Sequence, residues 1–185
     1  MEQTGITMKE FRAAMSSFAA GVTVITTLDS VGVPQAVTAT AFSSVSMSPP
    51  LCLVCIAKET RAHQPLLARR SFVVNILRAG QESLSDQFAG PLVDRFTAVP
   101  WVSGRVTGCP IIHGALTWME CEVVEVHSAG DHDIFLARPT AVKVQDGMPL
   151  VYWRGSYSSL PLRPKRNGFD PALPGNVTTE RSRSG

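Results

Sequence analysis

Between residues 38 and 48 the chain gathers six small hydroxyl side chains, Thr38, Thr40, Ser43, Ser44, Ser46 and Ser48, with Phe42 the one large ring among them. A Pro49-Pro50 pair follows and stops any helix, because the residue ahead of each proline is driven toward extended conformations. LCLVCIA then runs on as a short, branched, apolar stretch with the character of a buried strand. Polar strand, proline corner and apolar strand together set a row of hydroxyls and backbone N–H groups beside a dry core. Such a surface suits a ligand rich in acceptors, either a phosphate or a flat heterocycle with ring carbonyls. The same composition also fits an edge hairpin whose hydroxyls are simply solvated.

Cys52 and Cys55 form a C-x-x-C inside that apolar strand. An offset of three in a regular strand sends the two thiols to opposite faces, so they share neither a zinc ion nor a bridge. Cys109 and Cys121 have no near partner in sequence, and all four read as reduced core cysteines rather than metal ligands. The histidines at 63, 113, 127 and 132 lack metal-ligand spacing. His132 differs in its setting: Gly130-Asp131-His132-Asp133 is a turn between two long extended runs, where functional side chains are commonly presented. The flanking carboxylates of Asp131 and Asp133 should favour the protonated ring. No G-x-G-x-x-G follows a strand, and neither a G-x-S-x-G elbow nor an H-E-x-x-H is present.

The elements that must position these groups can be read in order. Thr7-x-x-Glu10 is a capping box, and Met8, Phe11, Met15 and Phe18 give an apolar helical stripe that Gly21 ends. VTVITTL, the turn at residues 29–32 and the stretch from Val33 make residues 22–57 an antiparallel meander. A polar corner at residues 58–63 leads to a short helix, QPLLARR, and SFVVNIL is the next strand, interrupted by Asn75. Residues 80–96 carry one or two short helices with Leu84, Phe88 and Phe96 inward, and residues 97–114 read as irregular. Residues 115–127 form a long strand broken by Glu120, Glu122 and Glu125, and IFLARPTAVKV returns as its partner. Asp146-Gly147 is a turn, and LVYWRGSY is the last strand. About seven strands, a few helices and no βαβ alternation predict a mainly β protein, a barrel with helical decorations.

The chain has 185 residues, 44% of them hydrophobic and 17% charged, which fits one soluble globular domain. Residues 1–160 carry that domain. Residues 161–185 turn to Pro, Arg, Asn, Gly, Ser and Thr and read as a disordered tail. The tail sets five cations against two carboxylates, +3 of the net +2, and leaves the body at −1. A body so near neutrality argues against nucleic acid as the main partner. No run of eighteen apolar residues and no basic segment with an apolar core at the start leave the cytoplasm as the expected compartment and no membrane partner.

Taken in order, FRAAMSSFAAGVTVITT, TATAFSSVSMSPPLCLVCI, FVVNIL with QFAG and DRF, GALTWMECEV, the GDH turn and LVYWRGSY resemble the short-chain flavin reductases. The resemblance covers about residues 8–157. These FMN-binding split-barrel enzymes, Greek-key-like antiparallel barrels, serve two-component flavin-dependent monooxygenases. The resemblance implies a six-stranded barrel, a homodimer with flavin near the subunit interface, FMN (or FAD) as cofactor and NADH or NADPH as reductant. It also implies that residues 38–46, and in them Thr38, Ala39, Thr40, Ser43, Ser44, Val45 and Ser46, line the isoalloxazine and ribityl chain. Lys58, Thr60 and His63 match the corner that holds the flavin phosphate. Asn75 and Arg95 match positions near the flavin, and His132 and Arg154 match residues that meet the nicotinamide nucleotide. This chain departs from the pattern at Thr40, often Asn in the family, and at Ala62, where a hydroxyl is common. His113 replaces a more usual acidic residue.

The activity so implied is an NAD(P)H:flavin oxidoreductase that releases reduced flavin to a partner monooxygenase, with His132, as its catalytic residue, orienting the nicotinamide or its phosphates. The alternative is a non-catalytic flavin- or haem-binding split barrel, which would have no need of His132 and Arg154.

Overall fold

The computed structural model describes residues 5–90 and 95–160, so the expected disorder of the tail lies outside the described residues. In chain order the elements are α1 (Met8–Ser16), β1 (Ala20–Gly21), β2 (Thr23–Leu28), β3 (Pro34–Ala39), β4 (Phe42–Met47), β5 (Pro50–Ala57), α2 (His63–Arg69) and β6 (Ser71–Ile76). There follow α3 (Glu82–Ala89), β7 (Trp101–Ser103), β8 (Pro110–Ile112), β9 (Thr117–Ala129), β10 (His132–Val144), β11 (Leu150–Trp153) and β12 (Ser156–Ser159).

Seven strands make one antiparallel sheet in the order β3-β2-β6-β9-β10-β5-β4. Alternation along each strand sends one set of side chains to a shared interior. Ile25 of β2, Val54 and Ile56 of β5, Phe72 and Val74 of β6, Cys121 of β9 and Phe135 of β10 all meet there, closed at one end by Leu66 of α2. A single cluster fed by strands from across the sheet requires the sheet to curl on itself. The two strands left at its edges, β3 and β4, are consecutive in the chain, so the barrel is open along one seam.

The outer face of β2 is covered by a second cluster in which Val22, Val24 and Ala36 meet Leu77, Phe88 of α3 and Leu150. Residues 97–114, expected to be irregular, contain the paired strands β7 and β8, with Trp101 opposite Ile112. That hairpin is anchored from outside: Asn75 Oδ1 accepts from the Ile112 N–H at 2.8 Å, and the hydroxyl of Thr26 donates to Pro110 O.

Helix α1 is shorter than its apolar stripe. The Thr7–Glu10 capping box is present in both directions, but the helix stops at Ser16, not at Gly21. Ser16 and Ser17 hydroxyls bond back to Ala13 O, which ends the ladder before the glycine. None of its residues is buried.

Candidate functional site

At the open seam the chain leaves β3 at Ala39 and turns into β4 through Thr40 and Ala41. Phe42 N–H donates to Thr40 O, and Cys55 N–H donates to Ala41 O, which ties the turn to β5. A hollow of about 210 Å³ lies there, walled by Val37–Ala41, Cys55–Ala57, Thr60 and His132. Through Thr38 and Thr40 it borders a second hollow of about 500 Å³, which Ser85, Asp86, Tyr152 and Tyr157 help to line. Thr40 also faces Arg154 and Gly155 across a third. Thr38 and Thr40 are thus the hub of one branched cleft.

Thr38 donates its hydroxyl to Ser85 O at 2.7 Å, and Thr60 donates to Ala57 O at 2.8 Å. Each donor is spent and the lone pairs remain able to accept. The floor is apolar on the β5 side, where burial pushes the Cys55 thiol up, away from thiolate.

His132 enters from the β9–β10 hairpin. Gly130 sits at φ +64, the left-handed region that a tight hairpin needs. His132 then pairs with Ala129 on β9 and Ala57 on β5. Its Nδ1 lies 2.7 Å from Asp131 Oδ1, and that contact holds the Asp131 carboxyl below its usual range. Of the two carboxylates expected to flank the ring only Asp131 does so. Strand alternation turns Asp133 to the opposite face, where its Oδ2 lies 2.8 Å from His63 Nε2. The His63 contact is the main cause that holds the Asp133 carboxyl low, with the Lys58 ammonium adding to it against the cost of burial.

The structure therefore brings together Thr38, Ala39, Thr40, Thr60 and His132, with Arg154 reached through Thr40. Ser43, Ser44, Val45 and Ser46 lie on β4, beyond the hollow's walls and exposed or half-buried. Arg154 is at φ +49, stacks over Trp153 at 4.8 Å and anchors its N–H on Ser16 O. Lys58 and His63, matched to a phosphate corner, face the hairpin instead. Lys58 Nζ donates to Ser128 Oγ at 2.8 Å and Gly130 O at 2.7 Å.

Asn75 and Arg95 are not brought to this cleft. Asn75 is 0% exposed, donates to Val24 O and Thr26 Oγ1 and accepts from Ile112 N–H, which makes it a core bracket. Arg95 donates to Ala36 O and Phe88 O and lines a separate hollow with Arg61 and Phe96.

The cysteines sort as strand geometry requires, with one addition. Cys52 points into the core and Cys55 toward the cleft, and all four are free thiols. Cys121, without a partner in sequence, has its Sγ 4.0 Å from that of Cys52. Among the described residues no three of His, Cys, Asp and Glu gather into a metal site.

A signal that sequence reasoning missed is Glu120. It is buried and accepts from the N–H groups of Arg105, Val106 and Thr107 and from the Thr107 hydroxyl. Burial alone would raise its pKa, but these four donors outweigh it and hold the carboxyl low.

Residues 15–161 match the model of the flavin reductase like domain. The chain is 42% identical over 159 residues to the stachydrine N-demethylase reductase subunit Stc3 of Rhizobium meliloti, covering 86% of this chain and 69% of that one. It is 41% identical over 155 residues to the flavin reductase (NADH) of Kitasatospora aureofaciens, with 82% and 81% covered. A longer Rhizobium meliloti relative, 42% identical over 149 residues, is spanned over only 48% of its length. Among solved structures, the NADH:FAD oxidoreductase SgcE6 of Streptomyces globisporus in complex with NAD and FAD fragments superposes with a TM-score of 0.79. It is 35% identical, with 88% of this chain and 99% of that one covered.

Proposed function

This chain belongs to the flavin reductase like family, and from that premise we propose that it is an NAD(P)H:flavin oxidoreductase whose site is the branched cleft around Thr38–Thr40. The observation that carries the reading is the open seam itself. Strand β3 has a sheet neighbour on one side only, so backbone N–H and C=O groups of residues 37–41, from β3 and the turn that leaves it, border the hollow. A flavin ring suits that donor set: its carbonyl edge takes backbone N–H groups, its ring N–H meets hydroxyl or carbonyl oxygens, and its apolar edge meets Val37, Cys55 and Ile56.

When bound, the flavin supplies the hydride acceptor for a nicotinamide. The chain's own task is placement. The β3–β4 turn fixes one ring plane, and backbone donors along it favour the charge that grows at the ring carbonyl edge. His132, at the wall of the hollow, contacts the nicotinamide nucleotide and sets its approach, an effect that can supply several kcal/mol of the barrier. Arg154 pairs with a phosphate of that nucleotide. Ser43, Ser44, Val45 and Ser46 complete the flavin surface from β4, and Lys58 and His63 act from beneath the hairpin.

The reading includes a homodimer. The apolar side chains of α1, with Val45 and Met47 of β4 and Tyr152 and Trp153 of β11, are all exposed in one chain, and a second copy laid over this seam would bury them and roof the cleft. It also includes a cytoplasmic site of action and a flavin-dependent monooxygenase as the acceptor of reduced flavin; the Stc3 relative is itself named the reductase subunit of an N-demethylase. Among the described residues no helix is long and apolar enough to cross a membrane.

The test is a steady-state assay of purified protein with NADH or NADPH against FMN, FAD and riboflavin in turn. Flavin-dependent loss of absorbance at 340 nm is expected with at least one pair. No flavin-dependent oxidation with any pair would end the enzyme reading.

A further inference from the structure

Three groups from the corner after β5 grip the β9–β10 hairpin on both sides of His132. The Lys58 ammonium holds Ser128 and Gly130, the Lys58 N–H donates to Asp131 O at 3.0 Å, and His63 holds Asp133. The last contact is buried: His63 is 3% exposed and Asp133 7%. The other Asp133 oxygen, Oδ1, is buried without a hydrogen bond and lies 3.5 Å from Lys58 Nζ. The His63 ring also meets Phe135 edge-on, with centroids 6.0 Å apart. Phe135 is the next residue of β10 on the same face as Asp133.

Stability alone does not call for this arrangement. A buried ion pair commonly contributes no more than well-packed apolar residues of the same volume, because desolvation offsets the attraction. What a hydrogen-bonded His–carboxylate pair does supply is direction. It fixes the rotation of the strand at residue 133, and the strand's alternation then fixes where residue 132 points.

We propose that His63 and Asp133 are positioning residues for hydride transfer, which set the His132 ring at the cleft wall from the opposite face of β10. The proposal rests on the reading of His132 as the nicotinamide contact. It also assigns His63 a different role from that of a flavin-phosphate ligand: its Nε2 is committed to Asp133 and its ring is closed off from the cleft.

The experiment is a double-mutant cycle on the full chain, with His63→Ala, His63→Gln and Asp133→Asn each made alone and together with His132→Ala. Kinetic constants are measured for NADH and for flavin. NAD+ affinity is measured by calorimetry on flavin-free protein, and Tm is followed throughout. His63→Ala should lower kcat/KM for NADH by about tenfold, consistent with the cost of a misplaced reacting geometry. It should weaken NAD+ binding and leave the flavin KM within twofold. His63→Gln, whose amide can still donate to Asp133, should recover most of the loss. In the His132→Ala background, His63→Ala should change NADH kinetics by less than twofold.

A rise in flavin KM with NADH kinetics unchanged would overturn the proposal in favour of a direct flavin contact. An equal loss with and without His132 would reduce the pair to a structural role. If His63→Ala does not fold, Asp133→Asn, which removes the carboxylate that His63 meets, carries the same cycle with His63→Gln as its conservative control. No effect of His132→Ala itself on NADH would instead remove the reading of His132 on which the proposal stands.

Discussion

The wall formed by β2, β6, β9 and β10 and the seam formed by β3, β4 and α1 follow opposite rules. In the wall, Ile25, Phe72 and Phe135 are fully buried, and two of the polar groups that enter it are satisfied from several directions. Asn75 brackets β2 to the β7–β8 hairpin, and Glu120 collects four donors from residues 105–107. At the seam, Phe18 is 72% exposed, Met47 74% and Val45 49%, and two sheet edges have no further strand. The wall is complete within one chain. The seam leaves apolar side chains and sheet-edge groups open, the surface that the proposed ligand and the proposed second copy would cover, and the functional reading starts from that difference.

The largest effect expected from this contrast is on stability. Phe72→Ala in the wall should cost about 3–5 kcal/mol by cavity formation. Met47→Ala at the seam should change the stability of one chain by no more than about 0.5 kcal/mol but weaken self-association. Denaturant melts and sedimentation equilibrium separate the two, and a Met47→Ala protein as destabilised as Phe72→Ala would place β4 in the wall.

A second pair divides structural from ligand-facing polar residues. Asn75→Ala orphans the Ile112 N–H and should cost about 1–3 kcal/mol, with the flavin KM unaltered in the protein that folds. Thr40→Val should do the reverse, raising the flavin KM with little change in Tm. A raised flavin KM in Asn75→Ala at unchanged Tm would return Asn75 to the flavin site.

The smallest expected effect is on acid stability. Glu120 and Asp133 both have carboxyls held below their ordinary range in the folded chain. A depressed folded pKa adds stability that is fully present above the unfolded value and is lost as pH falls through the folded one. Stability should therefore decline below the usual carboxylate range, and Glu120→Gln should flatten that decline while lowering the plateau near neutrality. A decline of the same steepness in Glu120→Gln and Asp133→Asn would assign it to other carboxylates.

The wall was legible in sequence, for local reasons, but the meander expected over residues 22–57 is two separate hairpins, because β3 and β4 do not pair and lie at opposite edges of the sheet. Branched runs such as VTVITTL and LCLVCIA state their burial directly, and the Thr7–Glu10 capping box marks the start of α1. The end of α1 was misread because its stripe continues to Phe18, a pattern that reports apolar character rather than burial in one chain. What escaped the sequence depends on distant partners. His63 reads as a residue of a polar corner, and it is buried only because Asp133, seventy positions on, meets it. Glu120 reads as a charge interrupting a strand until the 104–108 loop folds over it. Cys121 gains its neighbour Cys52 only when β5 and β9 curl toward each other. At the candidate site, the hydroxyl-rich stretch stood out in the sequence, but its division into Thr38–Thr40 at the hollow and Ser43–Ser46 outside it was not legible there. That division depends on the chain reversal at residues 40–41.

The most direct test of the central claim is the kinetics of His132→Ala. The account predicts a fall in kcat/KM for NAD(P)H of about one to two decades, about 1.4–2.7 kcal/mol of transition-state binding, with the flavin KM little changed because the β3 edge and the turn at residues 40–41 remain intact. Unchanged nicotinamide kinetics, or a loss confined to flavin, would contradict it.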